Sequence, residues 1–197
     1  CMTEKDFMHI QKDIEKKQSA SRFEHTLGVQ YTSACLAMAH GVCVEDARLA
    51  GLLHDCAKQL DDKTLLKEAE KYHLDMTDVE RRQPYLLHGK VGAVYAKEKY
   101  HVEDPDILNA ITYHTTGRPG MSILEKIVFT ADYIEPGRDK APNLKELRQE
   151  AFRDIDKAVW LILKQTLSYL EGEGGDIDGM TRESCQYYEQ CVRREKA

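Results

Sequence analysis

Histidine and aspartate side chains occur in this chain at positions where the neighbouring residues are apolar. His54 and Asp55 directly follow the apolar run 50–53, and Asp132 lies within a second apolar segment. Burial of an ionisable group is costly unless the group is paired or binds a metal. Ionisable groups inside apolar runs therefore favour a functional site. Three further histidines lie on segments that a helical core would turn inward: His25, His88 and His114.

Each of these residues also has an ordinary structural explanation. A single buried histidine or aspartate is more often a hydrogen-bonded core residue or a helix cap than a ligand. For His25 or His88 alone, that explanation is the stronger one. The complete series is hard to explain by coincidence, and we expect its members to form one functional site.

The elements that must position these residues are predicted to be helices. Apolar residues recur with helical spacing, and alternating runs of β-branched residues are missing, so the fold class is all-α. Capping boxes and terminal glycine or proline residues indicate where the helices begin and end. The predicted helices lie near 3–17, 21–40, 44–57, 62–73, 84–100, 105–115, 122–134, 143–171 (with or without a break near Phe152) and 181–194.

The length favours a single domain over residues 1–197. The catalytic core is expected at about 7–171, and a Gly-rich acidic turn at 172–179 leads into a short C-terminal tail helix at about 181–194. Cys1 precedes Met2, which resembles an initiator, and is expected to be a remnant of expression.

The charge balance limits the classes of partner. The chain has 34 acidic and 28 basic residues and a net charge of −6, which argues against a nucleic-acid-binding protein. No stretch approaches the roughly 20 apolar residues of a membrane span, and no secretory leader is recognisable. The six cysteines form no Cys-x-x-Cys pair, so we expect reduced thiols and a cytoplasmic location.

The order of a histidine, an adjacent His-Asp pair and a distant aspartate resembles the HD superfamily of metal-dependent phosphohydrolases, an all-α family. The resemblance implies an HD-domain helical bundle in which one metal is bound by four residues: His25, His54, Asp55 and Asp132. Two imidazoles and two carboxylates suit iron, manganese or zinc better than calcium. The resemblance implies iron.

Four motifs resemble the YqeK-type HD proteins more closely: RFEHTLGV (22–29), AGLLHDCAK (50–58), AITYHTTG (110–117) and ADYIEPGR (131–138). This bacterial family consists of symmetrical bis(5′-nucleosyl)-tetraphosphatases, which cut diadenosine tetraphosphate into two ADP. The resemblance covers about 7–170. It implies a small-molecule nucleotide substrate.

The expected phosphate site combines the metal ligands with nearby cations and hydroxyls. Arg22 lies one turn before His25, Lys58 one turn beyond His54, and Arg138 after the turn that ends the Asp132 helix. Without the motifs, Arg22 and Arg138 would be interpreted as surface charges, and for Lys58 the two interpretations are equal. The candidates for nucleotide or phosphate binding are Arg22, His25, Asp55, Lys58, His88, His114, Thr115, Asp132 and Arg138.

Three residues are the candidates for catalysis: Asp55, His88 and His114. Asp55 combines metal binding with activation of water, as the family suggests. His88 and His114 are expected to contact phosphate, with either as general acid to the leaving ADP. Binding of a second metal by His88 and His114 is an alternative role for these residues.

Other functions are compatible with the same motifs. The alternatives are an HD-type nucleotide phosphatase, an alarmone hydrolase and a non-catalytic nucleotide-binding regulatory protein. A homodimer is a further expectation, because twofold dimers are the commonest oligomers.

Overall fold

The computed structural model describes residues 2–195, so Cys1 and its expected origin lie outside the described residues. Within this range the chain forms eleven α-helices and a 3₁₀ helix, and it contains no β-strand. The all-α prediction is confirmed. The elements are α1 Glu4–Lys17, α2 Ala20–His40, α3 Val44–Leu53, α4 Asp62–Lys71, α5 Asp78–Arg82, the 3₁₀ helix Pro84–Leu87, α6 His88–Tyr100, α7 Pro105–Thr112, α8 Ile123–Ile134, α9 Leu144–Arg153, α10 Ile155–Glu173 and α11 Gly179–Arg194.

Capping residues account for most of the helix starts. The predicted capping boxes are present at Thr3, Thr77 and Ser122, where side chain and backbone satisfy each other's free N–H groups. Helix α2 begins from Ser19 rather than from the predicted Ser21, because the Ser19 hydroxyl accepts from the Arg22 N–H over 3.2 Å. Asn143 precedes α9 with φ of 60° and makes no side-chain cap.

Several helices end earlier than predicted, and these ends carry candidate site residues. Helix α3 stops at Leu53 instead of residue 57, and α7 stops at Thr112 instead of residue 115. Tight turns follow α3, in which an N–H bonds the carbonyl three residues earlier. The single helix predicted at 84–100 is divided between the 3₁₀ helix and α6. The break between α9 and α10 lies at Asp154, which caps α10.

Helix α2 packs against both α3 and α8, and these three helices carry most of the candidate ligands. Gly51 permits close approach of α3 to α2, since a Cβ there would lie 2.9 Å from the Gln30 Cα. Leu36, Leu52 and Ile127 are fully buried members of the same core.

The C-terminal helix joins this core. The Tyr188 side chain of α11 is buried, and its hydroxyl accepts from the Met121 N–H over 2.9 Å. The single-domain interpretation stays a prediction, which the packing of α11 on α10 supports. None of the helices in residues 2–195 combines the length and apolar character needed to cross a bilayer.

Candidate metal centre

Six imidazole and carboxylate side chains come together where three helices and the ends of two others meet. Helix α2 supplies one residue, the end of α3 two, the start of α6 one, the turn after α7 one and α8 one. These residues are His25, His54, Asp55, His88, His114 and Asp132. Every ligand and catalytic candidate from the sequence therefore lies in one cluster.

Helix ends orient three of the four histidines. The last carbonyls of a helix lack an intrahelical N–H partner. The Nδ1 atoms of His54, His88 and His114 each lie 2.7 Å from the carbonyl oxygen three residues earlier, at a helix end in every case. An Nδ1–H that donates to a carbonyl leaves Nε2 free as a ligand. The early ends of α3 and α7 thus aim Nε2 of these rings at the cluster.

His25 is held differently because it lies inside α2, where the carbonyls are already bonded. Its Nδ1 faces Oε1 of the buried Glu135 at 3.5 Å and has no hydrogen-bond partner. The Gly137 N–H donates to the Glu135 carboxylate over 3.1 Å. A Cβ at Gly28 would collide with that carboxylate, so the glycine provides its space.

Nε2 of both His25 and His54 lies within 4 Å of a carboxylate oxygen of Asp55 and of Asp132. Nε2 of His25 lies 2.9 Å from Asp132 Oδ1 and 3.9 Å from Asp55 Oδ2. Nε2 of His54 lies 3.3 Å from Asp55 Oδ2 and 3.6 Å from Asp132 Oδ1. Ligand bonds of about 2.1 Å at right angles put neighbouring ligands about 3 Å apart. His54 Nε2 is buried without a hydrogen-bond partner, so the donor set fits a divalent transition metal.

The second carboxylate oxygen of Asp55 faces a different pair of rings. Its Oδ1 lies 3.5 Å from His88 Nε2 and 3.4 Å from His114 Nε2. The two Nε2 atoms are 3.1 Å apart. Asp55 therefore lies between two groups of nitrogen donors, and this second group could hold another ion or contact a phosphate.

The charges in the cluster shift the pKa values of its members. Burial opposes the charged form of His54, but Asp55 and Asp132 outweigh burial and raise the pKa of His54 to about 10. Burial likewise opposes ionisation of Asp55, yet His54 and His114 hold the pKa of that carboxyl well below its usual range. Burial, followed by the charges of His114 and Lys58, lowers the pKa of His88 to about 3. In the absence of an ion, a protonated imidazole thus balances the carboxylates.

The cation candidates border the cluster. Arg22 Nη1 donates to Asp55 Oδ2 over 3.0 Å, and Arg138 Nη2 donates to Asp132 Oδ1 over 3.2 Å. The Thr115 hydroxyl lies 3.3 Å from His88 Nε2. Lys58 forms no side-chain hydrogen bond or ion pair within the described part of the chain. Its positive charge nevertheless helps to lower the pKa of His88.

Sequence reasoning missed Glu135 as a member of this site. The residue lies within the motif ADYIEPGR (131–138). Its neighbours in the sequence are Pro136 and the buried Ile134. An acidic residue next to an apolar run was the signal that could have identified it.

Comparison with known proteins assigns the family. The HD domain model matches residues 22–137. A Halalkalibacterium halodurans protein named "Bis(5'-nucleosyl)-tetraphosphatase, symmetrical" is 41% identical over 76% of this chain and 79% of its own length. A Staphylococcus aureus protein of the same name is 33% identical over 92% and 95%.

A solved structure from Clostridium acetobutylicum, described as a predicted HD superfamily hydrolase involved in NAD metabolism, is also similar. It is 38% identical, has a TM-score of 0.90 and matches 93% of this chain and 97% of its own. The chain therefore belongs to the HD-domain family, and within it to the group of proteins named symmetrical bis(5′-nucleosyl)-tetraphosphatases.

Proposed function

We propose that this protein is a metal-dependent hydrolase that cleaves diadenosine tetraphosphate symmetrically into two ADP. The observation that carries this function is the buried His/Asp cluster bordered by two arginines, in a chain whose relatives bear that name. Arginine side chains bind phosphate oxygens in a bidentate manner, so two arginines beside the cluster favour a phosphate-containing substrate.

The metal would be held by the four residues whose donor atoms share one space: His25, His54, Asp55 and Asp132. Mixed nitrogen and oxygen donors suit iron, manganese or zinc, and the family resemblance implies iron. When bound, such a cation supplies a Lewis acid for the attacked phosphoryl group and lowers the pKa of a water.

The protein residues bind the substrate, orient the water and transfer protons. Asp55 orients the attacking water or accepts its proton. The water oxygen forms a bond to one central phosphorus, and the bond from this phosphorus to the oxygen bridging the two central phosphates breaks. The leaving ADP keeps the bridging oxygen. Arg22 and Arg138 bind the phosphates on the two sides of the cluster, and Lys58 and Thr115 add a cation and a hydroxyl.

His88 and His114 have two roles compatible with their geometry. They contact phosphate oxygens, with one of them protonating the leaving group, or they bind a second metal together with Asp55 Oδ1. The separations of 3.1 to 3.5 Å among these three atoms support both roles. Metal content per chain separates them, because only the second role requires two ions.

Product analysis tests the proposed function. We expect the purified protein with iron or manganese to convert diadenosine tetraphosphate into ADP as the sole nucleotide product. Equal amounts of ATP and AMP would contradict the symmetrical cut. Turnover of alarmones or mononucleotides in place of the dinucleotide would favour the other hydrolases, and no turnover with any metal would favour a regulatory binding protein.

Two further predictions accompany this function. A homodimer is expected from the frequency of twofold assemblies. A cytoplasmic location and a lack of nucleic-acid or membrane partners are expected from the cysteine pattern and the net charge of −6.

A further inference from the structure

A groove runs along α10 beside the candidate metal centre. Its volume is about 800 Å³, and its walls come from the end of α8, the segment 140–143 and α10. Three of the residues that line it, Tyr133, Lys140 and Ala141, also line an adjoining cavity of about 370 Å³. The two cavities form one depression, which we call the α10 groove.

Arg138 connects the α10 groove with the His/Asp cluster. Its side chain lines the smaller cavity, while its Nη2 donates to Oδ1 of Asp132. Tyr133, the residue next to Asp132, lines both cavities. The groove thus provides space for a ligand that contacts Arg138 through phosphate and extends away from the cluster.

The groove is positively charged although the whole chain carries a net charge of −6. Arg138, Lys140 and Lys164 line it, against a single carboxylate from Asp139. Among the ion pairs of residues 2–195, none involves Lys140 or Lys164. Cations without carboxylate partners can neutralise phosphate groups, and a local cluster of them raises the concentration of an anionic ligand.

Aromatic walls and a fixed loop give the groove a preformed shape. Tyr169 is 66% exposed, and Tyr133 also lines the groove. The Gln165 side-chain amide donates to the Tyr133 hydroxyl and to the Pro142 carbonyl, each over 3.1 Å. Its oxygen accepts from Asn143 over 2.9 Å, so Gln165 ties the segment 140–143 to α10.

A second cavity competes for the role of nucleoside site. It measures about 530 Å³, has mostly apolar walls and includes the exposed Tyr31. Its one basic residue is Arg148, whose guanidinium already donates to the backbone carbonyls of Ile134, Glu135 and Arg138. This cavity lacks a cation that is available for phosphate.

We propose that the α10 groove binds one nucleoside diphosphate half of the dinucleoside polyphosphate, the half whose phosphates contact Arg138. The base stacks on Tyr169 and Tyr133, and Lys140 and Lys164 contact phosphate oxygens. The volume lies within the range of about 300–1,000 Å³ typical of small-molecule sites. The proposal rests on the proposed function, because it places half of that substrate.

Replacement of Tyr169 by alanine tests the groove without disturbing the core, since this side chain is mostly exposed. We expect KM for diadenosine tetraphosphate to rise about tenfold with kcat unchanged, the loss that corresponds to one base-stacking contact. Lys164→Ala raises KM in the same direction. Tyr31→Ala in the competing cavity and Lys67→Ala on α4 are matched controls, for which KM stays at the wild-type value.

Trp160 provides a readout that does not depend on turnover. It is the sole tryptophan, and Lys164 Nζ lies 5.3 Å from its ring centroid. Titration of the purified protein with ADP should therefore produce a saturable change in Trp160 fluorescence. The Kd from this titration should rise about tenfold in Tyr169→Ala and stay constant in Tyr31→Ala.

The outcomes separate the groove from the activity. If Tyr169→Ala cleaves symmetrically with a wild-type KM, or if Tyr31→Ala raises KM instead, the groove is not the nucleoside site. The proposed hydrolase function is unaffected by either result. No turnover by the wild-type protein overturns the proposed function. In that case the ADP titration tests whether the groove binds a nucleoside diphosphate. This proposal is rejected if ADP produces no fluorescence response or if Tyr169→Ala binds ADP with the wild-type Kd.

Discussion

His25 differs from the other three histidines in what fixes its ring. A carbonyl at a helix end bonds Nδ1 of His54, His88 and His114, whereas the buried Glu135 carboxylate faces Nδ1 of His25. When Nε2 binds a metal, the ring proton lies on Nδ1, and a carboxylate that faces Nδ1 stabilises this form. Glu135 thus positions the ring of His25.

We expect Glu135→Ala to lower the affinity for the metal about 10–100-fold, the usual cost of losing a partner of a metal-bound histidine. Glu135→Gln should lose less metal affinity, because the amide oxygen retains a negative partial charge that faces Nδ1. Competition with a chelator measures the affinity, and the ring ¹⁵N shifts of His25 report which nitrogen carries the proton.

The exposed Glu103 supplies a control, since Glu103→Ala removes a carboxylate that has no ion pair among the described residues. Metal affinity in Glu103→Ala should equal that of the wild type. An equal affinity in Glu135→Ala as well would show that His25 needs no carboxylate to orient it.

The packing of α3 on α2 determines where His54 lies. Gly51 is the point of close approach, and its carbonyl also accepts from His54 Nδ1. We expect Gly51→Ala to destabilise the fold by about 1–3 kcal/mol, because the added methyl would press on α2 backbone that cannot yield. Denaturant unfolding of the metal-free protein measures this change.

Gly172 in α10 is the matched control for that substitution. A Cβ at Gly172 meets nothing within 4 Å. Gly172→Ala should therefore stabilise the protein by up to about 1 kcal/mol, since alanine is the better helix former. If both substitutions had the same effect, the close approach of α3 to α2 would not explain the role of Gly51.

Sequence periodicity predicted the existence and order of most helices, but it did not predict their ends. Helix α5 was not predicted, although its capping box at Thr77 was recognised, because only five residues follow the cap. Cys56 and Ala57 prolong the apolar spacing beyond Leu53, so hydrophobic spacing alone could not indicate the stop. At these ends, carbonyls accept from a histidine side chain or from an N–H three residues later, and hydrophobic spacing does not show such bonds.

The same reasoning explains which site residues were predictable. His54, Asp55 and Asp132 stand out because their neighbours are apolar, and the motifs add the remaining candidates. Glu135 and the α10 groove were missed, since their roles arise from contacts between α2 and the end of α8 and between α10 and the segment 140–143. Tertiary distances of this kind have no periodic signal in the chain.

The hydrophobic core and the metal centre contribute to stability in different ways. The core joins α1 to α11 through buried apolar residues that do not depend on an ion. Within the cluster, the bond between His25 Nε2 and Asp132 Oδ1 links α2 to α8 when no ion is bound. We therefore expect the metal-free protein to stay folded and helical, as measured by circular dichroism after treatment with a chelator.

Metal should nevertheless raise the melting temperature, because it binds the folded chain and not the unfolded one. At a concentration of 100 times Kd the gain is about 2.7 kcal/mol, which for a chain of this length corresponds to roughly 5–10 °C in Tm. Asp132→Ala should lose most of this gain, whereas Asp75→Ala, which removes an exposed carboxylate outside the cluster, should retain it. A gain of the wild-type size in Asp132→Ala would mean that the ion is bound without α8. The metal would then not be the link between α2 and α8 that the positions of the donor atoms predict.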